Sequence, residues 1–232
     1  MPALTAKLLE VFKLGDELAG VIDLPRSAWP EPGQYLPAQR ASGTPEILTT
    51  SLFRVLGEID RLCVGSLPAD WSPGDTLDIL SPHGHGFEIS PSAHRIGLVT
   101  LGVAPSRLLP LIPPALASGA SVALFCDSQL HPDLPNRIPS AVEIAPFTSL
   151  SDDLTWPDFL AVDLPLERLS RLREVLETEH LPFEGQVLIR TTMPCHGVGK
   201  CGVCSVQTGK GWRLACEDGP VFPLEEVLHV AG

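Results

Sequence analysis

Four of the six cysteines in this 232-residue chain, Cys195, Cys201, Cys204 and Cys216, fall within its last forty residues. Their spacing, Cys-x5-Cys-x2-Cys-x11-Cys, constrains the C-terminal segment more than any other feature of the sequence. It is the wrong distribution for a disulfide framework, and in a reducing compartment it points to metal or redox chemistry. Four thiolates are the complete ligand set of a [2Fe-2S] cluster, two on each iron. Gly197, Gly199 and Gly202 are interleaved with the cysteines. Glycine accepts positive φ, so the backbone can wrap tightly and turn its N–H groups toward sulfur. Such hydrogen bonds stabilise a reduced cluster and help to set its potential. A structural zinc ion on the same four thiolates is the main competing reading, because Cys-x2-Cys is also a zinc knuckle. Unliganded cysteines are a third. His196 reads as a solvent-facing loop residue, while Cys63 and Cys126, in apolar stretches, read as buried structural thiols.

The rest of the chain changes character once. Up to about residue 93 it consists of short β-favouring runs, Ala6–Leu14, Leu18–Leu24, Ser51–Gly57 and Leu77–Leu80, broken by turns such as Pro30-Glu31-Pro32-Gly33 and Ser72-Pro73-Gly74-Asp75. Many short strands at this spacing predict a small antiparallel barrel. From His94 the pattern becomes an apolar strand (Arg95–Leu101), a helical stretch near Ser106–Ser118 containing Pro113-Pro114, and a second buried strand (Ser121–Cys126). That order is a βαβ unit and predicts a parallel sheet. Leu166, Leu169, Leu172 and Leu176 predict a helix within Leu164–His180, and a strand at Gln186–Arg190 leads into the cysteines. The expected fold class is therefore all-β plus α/β. It divides into a β-barrel (1–93), a Rossmann-like parallel-sheet domain (94–185) and a small [2Fe-2S] segment (186–232).

Charge and hydropathy exclude some partners. A formal charge of −12 argues against nucleic acid, which needs a basic face. No apolar run approaches the roughly 20 residues that cross a bilayer. Met1–Lys7 lacks a basic region followed by an apolar one, so no signal peptide is expected and the protein is expected in the cytoplasm.

Several segments together resemble one family. Pro32-Gly33-Gln34-Tyr35 is similar to its PGQF turn, and Leu52-Phe53-Arg54-Val55-Leu56-Gly57-Glu58 to its LYRVVGE strand. Gly74–Phe87 is similar to GDxLDVLGPLGNGF, and Cys216-Glu217-Asp218-Gly219-Pro220-Val221-Phe222 to a terminal CxDGPVF. With the barrel, the βαβ unit and the four cysteines, these resemble the electron-transfer subunit of dihydroorotate dehydrogenase, an iron-sulfur flavoprotein of the ferredoxin reductase-like superfamily. The resemblance implies an FAD on the barrel, a [2Fe-2S] cluster close to it, and a flavin-containing catalytic subunit as partner in a hetero-oligomer of pyrimidine biosynthesis. It places candidate flavin contacts at Ser51, Phe53, Arg54 and Gly57.

The departures from the family fall on the cofactor motifs. Its Arg-Pro-x-Ser flavin signature corresponds to Leu48-Thr49-Thr50-Ser51, which keeps only the serine; Arg54, expected on the neighbouring strand, reads either as a phosphate partner or as a surface arginine. Its GGGxGxAP turn corresponds to Val99-Thr100-Leu101-Gly102-Val103-Ala104-Pro105, which keeps one glycine, and its CGP turn to Val162-Asp163-Leu164-Pro165. Without those glycines a dinucleotide backbone cannot be approached closely, so NAD is not expected, while FAD stays open. The expected activity is electron transfer, with no acid–base or nucleophilic residue assigned. The alternatives are a non-catalytic assembly subunit and a reductase-like subunit of another redox complex such as a hydrogenase.

Overall fold

A computed structural model describes residues 4–41, 49–152, 154–176, 181–195 and 197–229. Six strands build the N-terminal third: β1 (Leu4–Leu14), β2 (Glu17–Asp23), β3 (Tyr35–Arg40), β4 (Thr50–Arg54), β5 (Leu62–Gly65) and β6 (Thr76–Ile79). They pair antiparallel and close into a barrel in the order β1-β2-β5-β4-β3-β6. The pleat decides which side chains fill it. Leu8, Leu36, Leu52, Leu62, Leu77 and Ile79 point inward and are buried with Trp71. Their neighbours Tyr35 and Phe53 point the other way and join the core of the second domain. The barrel thus presents an apolar outer face.

That face meets a six-stranded sheet of β7 (Arg95–Thr100), β8 (Ser121–Cys126), β9 (Val142–Pro146), β10 (Phe159–Pro165), β11 (Glu184–Arg190) and β14 (Val221–Pro223). The order is β14-β11-β10-β7-β8-β9, all neighbours parallel except the antiparallel β11–β14 pair. Phe159, Leu160, Ala161 and Val162 are almost wholly buried, as expected for a central strand covered on both faces. The βαβ expectation holds, but its helix is shorter than the expected stretch near Ser106–Ser118. Pro110, Pro113 and Pro114 break it into two turns of 3-10 helix (Pro105–Arg107, Leu109–Leu111) and α1 (Ile112–Ala117). Likewise Leu164 and Pro165 complete β10, so the next helix, α2, covers only Leu169–Val175 after a 3-10 turn at Leu166–Arg168. Residues 177–180 of the expected helix lie outside the described residues.

After β11 the chain runs through the cysteine loop into a hairpin, β12 (Ser205–Thr208) and β13 (Gly211–Leu214), then β14 and α3 (Leu224–Leu228). Among the described residues no helix is long and apolar enough to cross a membrane.

Candidate redox site

The Cys-x11-Cys interval is the length of the β12–β13 hairpin. Ser205 pairs with Leu214 and Thr208 with Gly211, so the two strands return the chain to its starting point. Cys204 and Cys216 are thereby brought side by side. The Cys216 N–H donates to Cys204 Sγ at 3.4 Å, and the Ala215 N–H to the Cys204 carbonyl at 3.0 Å. Both thiols are buried, Cys195 is half-buried and Cys201 is exposed. Cys195 and Cys201 lie close enough for the Cys201 thiol to favour the Cys195 thiolate.

The glycines do what the sequence requires of them. Gly197, Gly199 and Gly202 all have positive φ, 76°, 69° and 70°. The Val198 N–H donates to the Cys195 carbonyl at 3.0 Å and closes the turn, which places the backbone N–H groups of Val198, Gly199 and Cys201 near the Cys195 sulfur, and that of Gly199 near Cys216 as well. Burial pushes the Cys195 thiol up, but the hydrogen bonds from Cys201 and these backbone groups outweigh it and hold the group at about 7. At Cys216 burial dominates, reinforced by Cys204, and the thiol is pushed up to about 12. Among the described residues no three His, Cys, Asp or Glu side chains form a group that could hold one metal ion.

The barrel closes the loop from below. The buried Tyr35 hydroxyl donates to the Cys216 carbonyl at 3.0 Å. A Cβ on Gly197 would meet the His83 ring at 2.7 Å and the Tyr35 hydroxyl at 2.8 Å, so this turn has room only for glycine. Burial, and then the nearby thiols of Cys216, Cys204 and Cys195, raise the Tyr35 hydroxyl well above the ordinary range, so it remains a donor. Tyr35 and His83 were not picked out from the sequence. Their only signal is adjacency to the PGQ and SPHGHG turns. Cys63 and Cys126 are buried far from the loop's contacts, as expected, and all six thiols are free. His196 lies outside the described residues.

The four candidate flavin contacts do not converge. Ser51 is half-buried on β4 opposite Pro37. Phe53 lies beneath the buried Arg107, whose guanidinium carbon is 3.8 Å from the ring centroid. Arg54 and Gly57 do share a site: they line a cavity of about 480 Å³ with Arg26, Trp29 and the prolines of α1. Arg54 stacks over Trp29 at 5.4 Å and makes no hydrogen bond or ion pair among the described residues. A Cβ on Gly57 would lie 2.5 Å from Pro113 Cγ, so α1 packs directly on that backbone. Leu48 of the flavin-signature stretch lies outside the described residues.

The nicotinamide-motif positions are built differently. Gly102 has φ 69° and donates its N–H to Asp127 at 2.9 Å, and a Cβ there would be 3.0 Å from Arg168 Nε. Asp163, fully buried, accepts both Nε and an Nη of Arg190 at 2.7 and 2.5 Å. These residues do not fit a dinucleotide approaching along the backbone.

Comparison with known proteins agrees with this geometry. Residues 191–228 match the family described as the iron-sulfur cluster binding domain of dihydroorotate dehydrogenase B. The electron-transfer subunit of dihydroorotate dehydrogenase B (NAD(+)) from Caldanaerobacter subterraneus is 28% identical over 227 residues, covering 86% of this chain and 87% of the relative. Sulfhydrogenase 1 subunit gamma of Pyrococcus furiosus is 41% identical over 196 residues, covering 69% of this chain and 65% of that subunit. In three dimensions, a chain of an NADH-dependent reduced ferredoxin-NADP oxidoreductase superposes with a TM-score of 0.70 at 18% identity, over 95% of this chain and 88% of that one. The ferredoxin NADP+ reductase of Neisseria gonorrhoeae gives 0.60 at 14% identity, over 82% and 98%. The chain is thus similar to the dihydroorotate dehydrogenase B electron-transfer subunits over most of its length and has a ferredoxin reductase-like fold.

Proposed function

We propose that this chain is the electron-transfer subunit of a hetero-oligomeric redox complex, with Cys195, Cys201, Cys204 and Cys216 as the ligands of a [2Fe-2S] cluster. The observation that carries this is the gathering of the cysteines by hairpin and loop: the β12–β13 hairpin sets Cys216 against Cys204, and Cys195 lies near Cys216 under the glycine-rich turn. Four thiolates, two on each iron, are the complete ligand set of such a cluster. Bound there, the cluster supplies one-electron transfer. The chain's residues hold it, exclude water on the Cys204–Cys216 side and leave Cys201 at the surface, where a partner can approach. The division into a barrel (1–93), an α/β unit (94–185) and a cluster segment (186–232) is part of the same proposal. Pairing of Ala161–Pro165 with Gln186–Arg190 ties the third unit to the second.

For the flavin we infer that Arg54, assisted by Arg26, holds a diphosphate in the cavity beside Trp29 and Gly57. A half-buried guanidinium with no hydrogen bond or ion pair among the described residues, set against an aromatic face, suits an anionic, aromatic-bearing ligand. Free thiols throughout, with no disulfide, support a reducing, cytoplasmic setting.

The partner we assign is a flavin-bearing catalytic subunit of the dihydroorotate dehydrogenase kind. A hydrogenase is the second reading, favoured by the 41% identity to a sulfhydrogenase gamma subunit. Anaerobic purification of the chain with its native partner tests the proposal. Bleaching of the visible iron-sulfur absorbance on reducing the partner with dihydroorotate or with hydrogen supports it and separates the two readings. Bleaching by neither, with the cluster still reducible by dithionite, refutes both assignments.

A further inference from the structure

In open α/β sheets ligands enter the crevice beyond the carboxyl ends of the strands, where the strand order reverses. Here that point lies between β7 and β10, since β8 and β9 continue on one side and β11 on the other. The chain fills this crevice with its own charges. Asp163, at the carboxyl end of β10, is held bidentately by Arg190, the last residue of β11, and Arg190 also donates to the Ala104 carbonyl at 3.2 Å. Arg107 lies beside Arg190 and Glu17, stacked on Phe53, with an Nη donating to Ser66 Oγ at 2.9 Å. Glu17 reaches across from β2 to accept from the Ser106 hydroxyl, and the Leu56 N–H donates to the Ser106 carbonyl at 3.2 Å. Two guanidinium groups and two carboxylates sum to zero, as a buried set must. What remains open beside Gly102 and Cys126 is a cavity of about 170 Å³, below the roughly 300–1,000 Å³ of ligand sites.

We propose that Glu17, Arg107, Asp163 and Arg190 form an internal latch in the place of a nicotinamide dinucleotide, fixing the barrel to the sheet and restricting this chain to electron exchange with protein partners. This rests on the electron-transfer reading above and narrows it. The barrel contributes Glu17, Ser66 and Phe53, and the sheet domain contributes Ser106, Arg107, Asp163 and Arg190. Arg190 stands five residues ahead of Cys195, so the latch also anchors the strand from which the cysteine loop departs. Burial first, and then the adjacent Arg190, lower the Arg107 guanidinium to about 9, which leaves it charged at neutral pH within the network.

The test uses the full chain, purified anaerobically, with iron and labile sulfide measured first. A protein lacking both sinks the cluster reading and leaves the latch untouched, because the two readouts that follow do not need iron. NADH and NADPH are titrated against the chain by nicotinamide fluorescence. No saturable binding is expected, and saturable binding of either overturns the proposal. Hydrogen–deuterium exchange is then compared between the wild type and Arg107→Ala, with Glu17→Gln as the milder variant should the first fail to fold. Segments 53–56 and 105–108 should exchange about tenfold faster in the variant, while the β12–β13 hairpin is unchanged. Unaltered exchange in those segments in the folded variant shows that the charges do not hold the domains together and overturns the latch.

Discussion

The cysteine loop and the domain junction both hang on the carboxyl end of β11, yet they are built on opposite rules. In the loop, donors converge on atoms that have no covalent or ionic partner of their own: three N–H groups turn toward Cys195, and glycines at positive φ make the turning possible. At the junction Asp163 accepts from Arg190 and Glu17 from the Ser106 hydroxyl, Arg107 donates an Nη to Ser66 while its Nε is buried without a partner among the described residues, and the glycines needed for close backbone approach are reduced to Gly102. One region is arranged around something the chain does not itself supply. The other is arranged around its own side chains. A retained fold therefore says little about which of its sites are retained, and the distinction is visible in where polar groups find their partners.

The comparison breaks most readily at the cysteines. Cys204→Ser or Cys216→Ser should lose essentially all bound iron, since an iron left with one thiolate is not held. Cys63→Ser and Cys126→Ser should keep it, and iron and sulfide analysis of the four proteins decides this. Equal iron content across them would dissolve the contrast between the loop and the rest of the chain.

The junction comes next in size. Asp163→Asn strands Arg190 in a buried site and should destabilise the fold by about 3–5 kcal/mol in urea unfolding. The double change Asp163→Asn with Arg190→Met should recover part of that loss, because no unpaired charge remains.

A smaller effect is expected at Gly199, where φ is 69°. Gly199→Ala should cost about 1 kcal/mol or more, because alanine is strained at positive φ. Alanine keeps the N–H, but its Cβ would collide with Glu217 Oε2, so the turn must shift and carry that N–H away from Cys195 and Cys216; the cluster potential should fall, because the N–H stabilises the reduced form. Protein-film voltammetry reads that shift, and an unchanged potential would mean that this N–H does not tune the site.

The smallest effect concerns the start of β7. The Arg95 guanidinium, and then the backbone N–H groups of His94 and Arg95, hold the Asp158 carboxyl down at about 2 against an ordinary value of 3.8. A depressed carboxylate contributes stability that is complete above about pH 4 and is lost as pH falls from there toward 2. Asp158→Asn should flatten the pH dependence of the unfolding free energy in that window and leave it unaltered above pH 5.

The legible parts of this molecule were those in which local sequence and final structure obey one rule. The runs at Ala6–Leu14, Leu18–Leu24, Arg95–Leu101 and Ser121–Cys126 are strands within a residue or two, because alternation or a short apolar run with turn signals marks each of them. The cysteine spacing carried its own explanation once the hairpin between Cys204 and Cys216 was seen. Other elements were hidden by their composition. Pro37 concealed β3, and the short apolar run Phe159–Val162, followed by Asp163, hid β10, whose Leu164 and Pro165 fell within or beside an expected helix, since a fully buried strand shows no period. The junction was illegible for a different reason. Ser106 and Glu17 are 89 positions apart and Arg190 and Asp163 are 27 apart, and nothing local in a sequence announces a pairing of that kind. Loss of the glycine-rich turn could be read as loss of a binding site. What took its place could not.

The central claim is that two pairs of thiolates hold two irons. Metal and sulfide analysis of the anaerobically purified chain, with EPR after dithionite reduction, tests it most directly. The account predicts two irons and two labile sulfides per chain and one paramagnetic signal on one-electron reduction. A colourless, EPR-silent protein with one zinc per chain would contradict it.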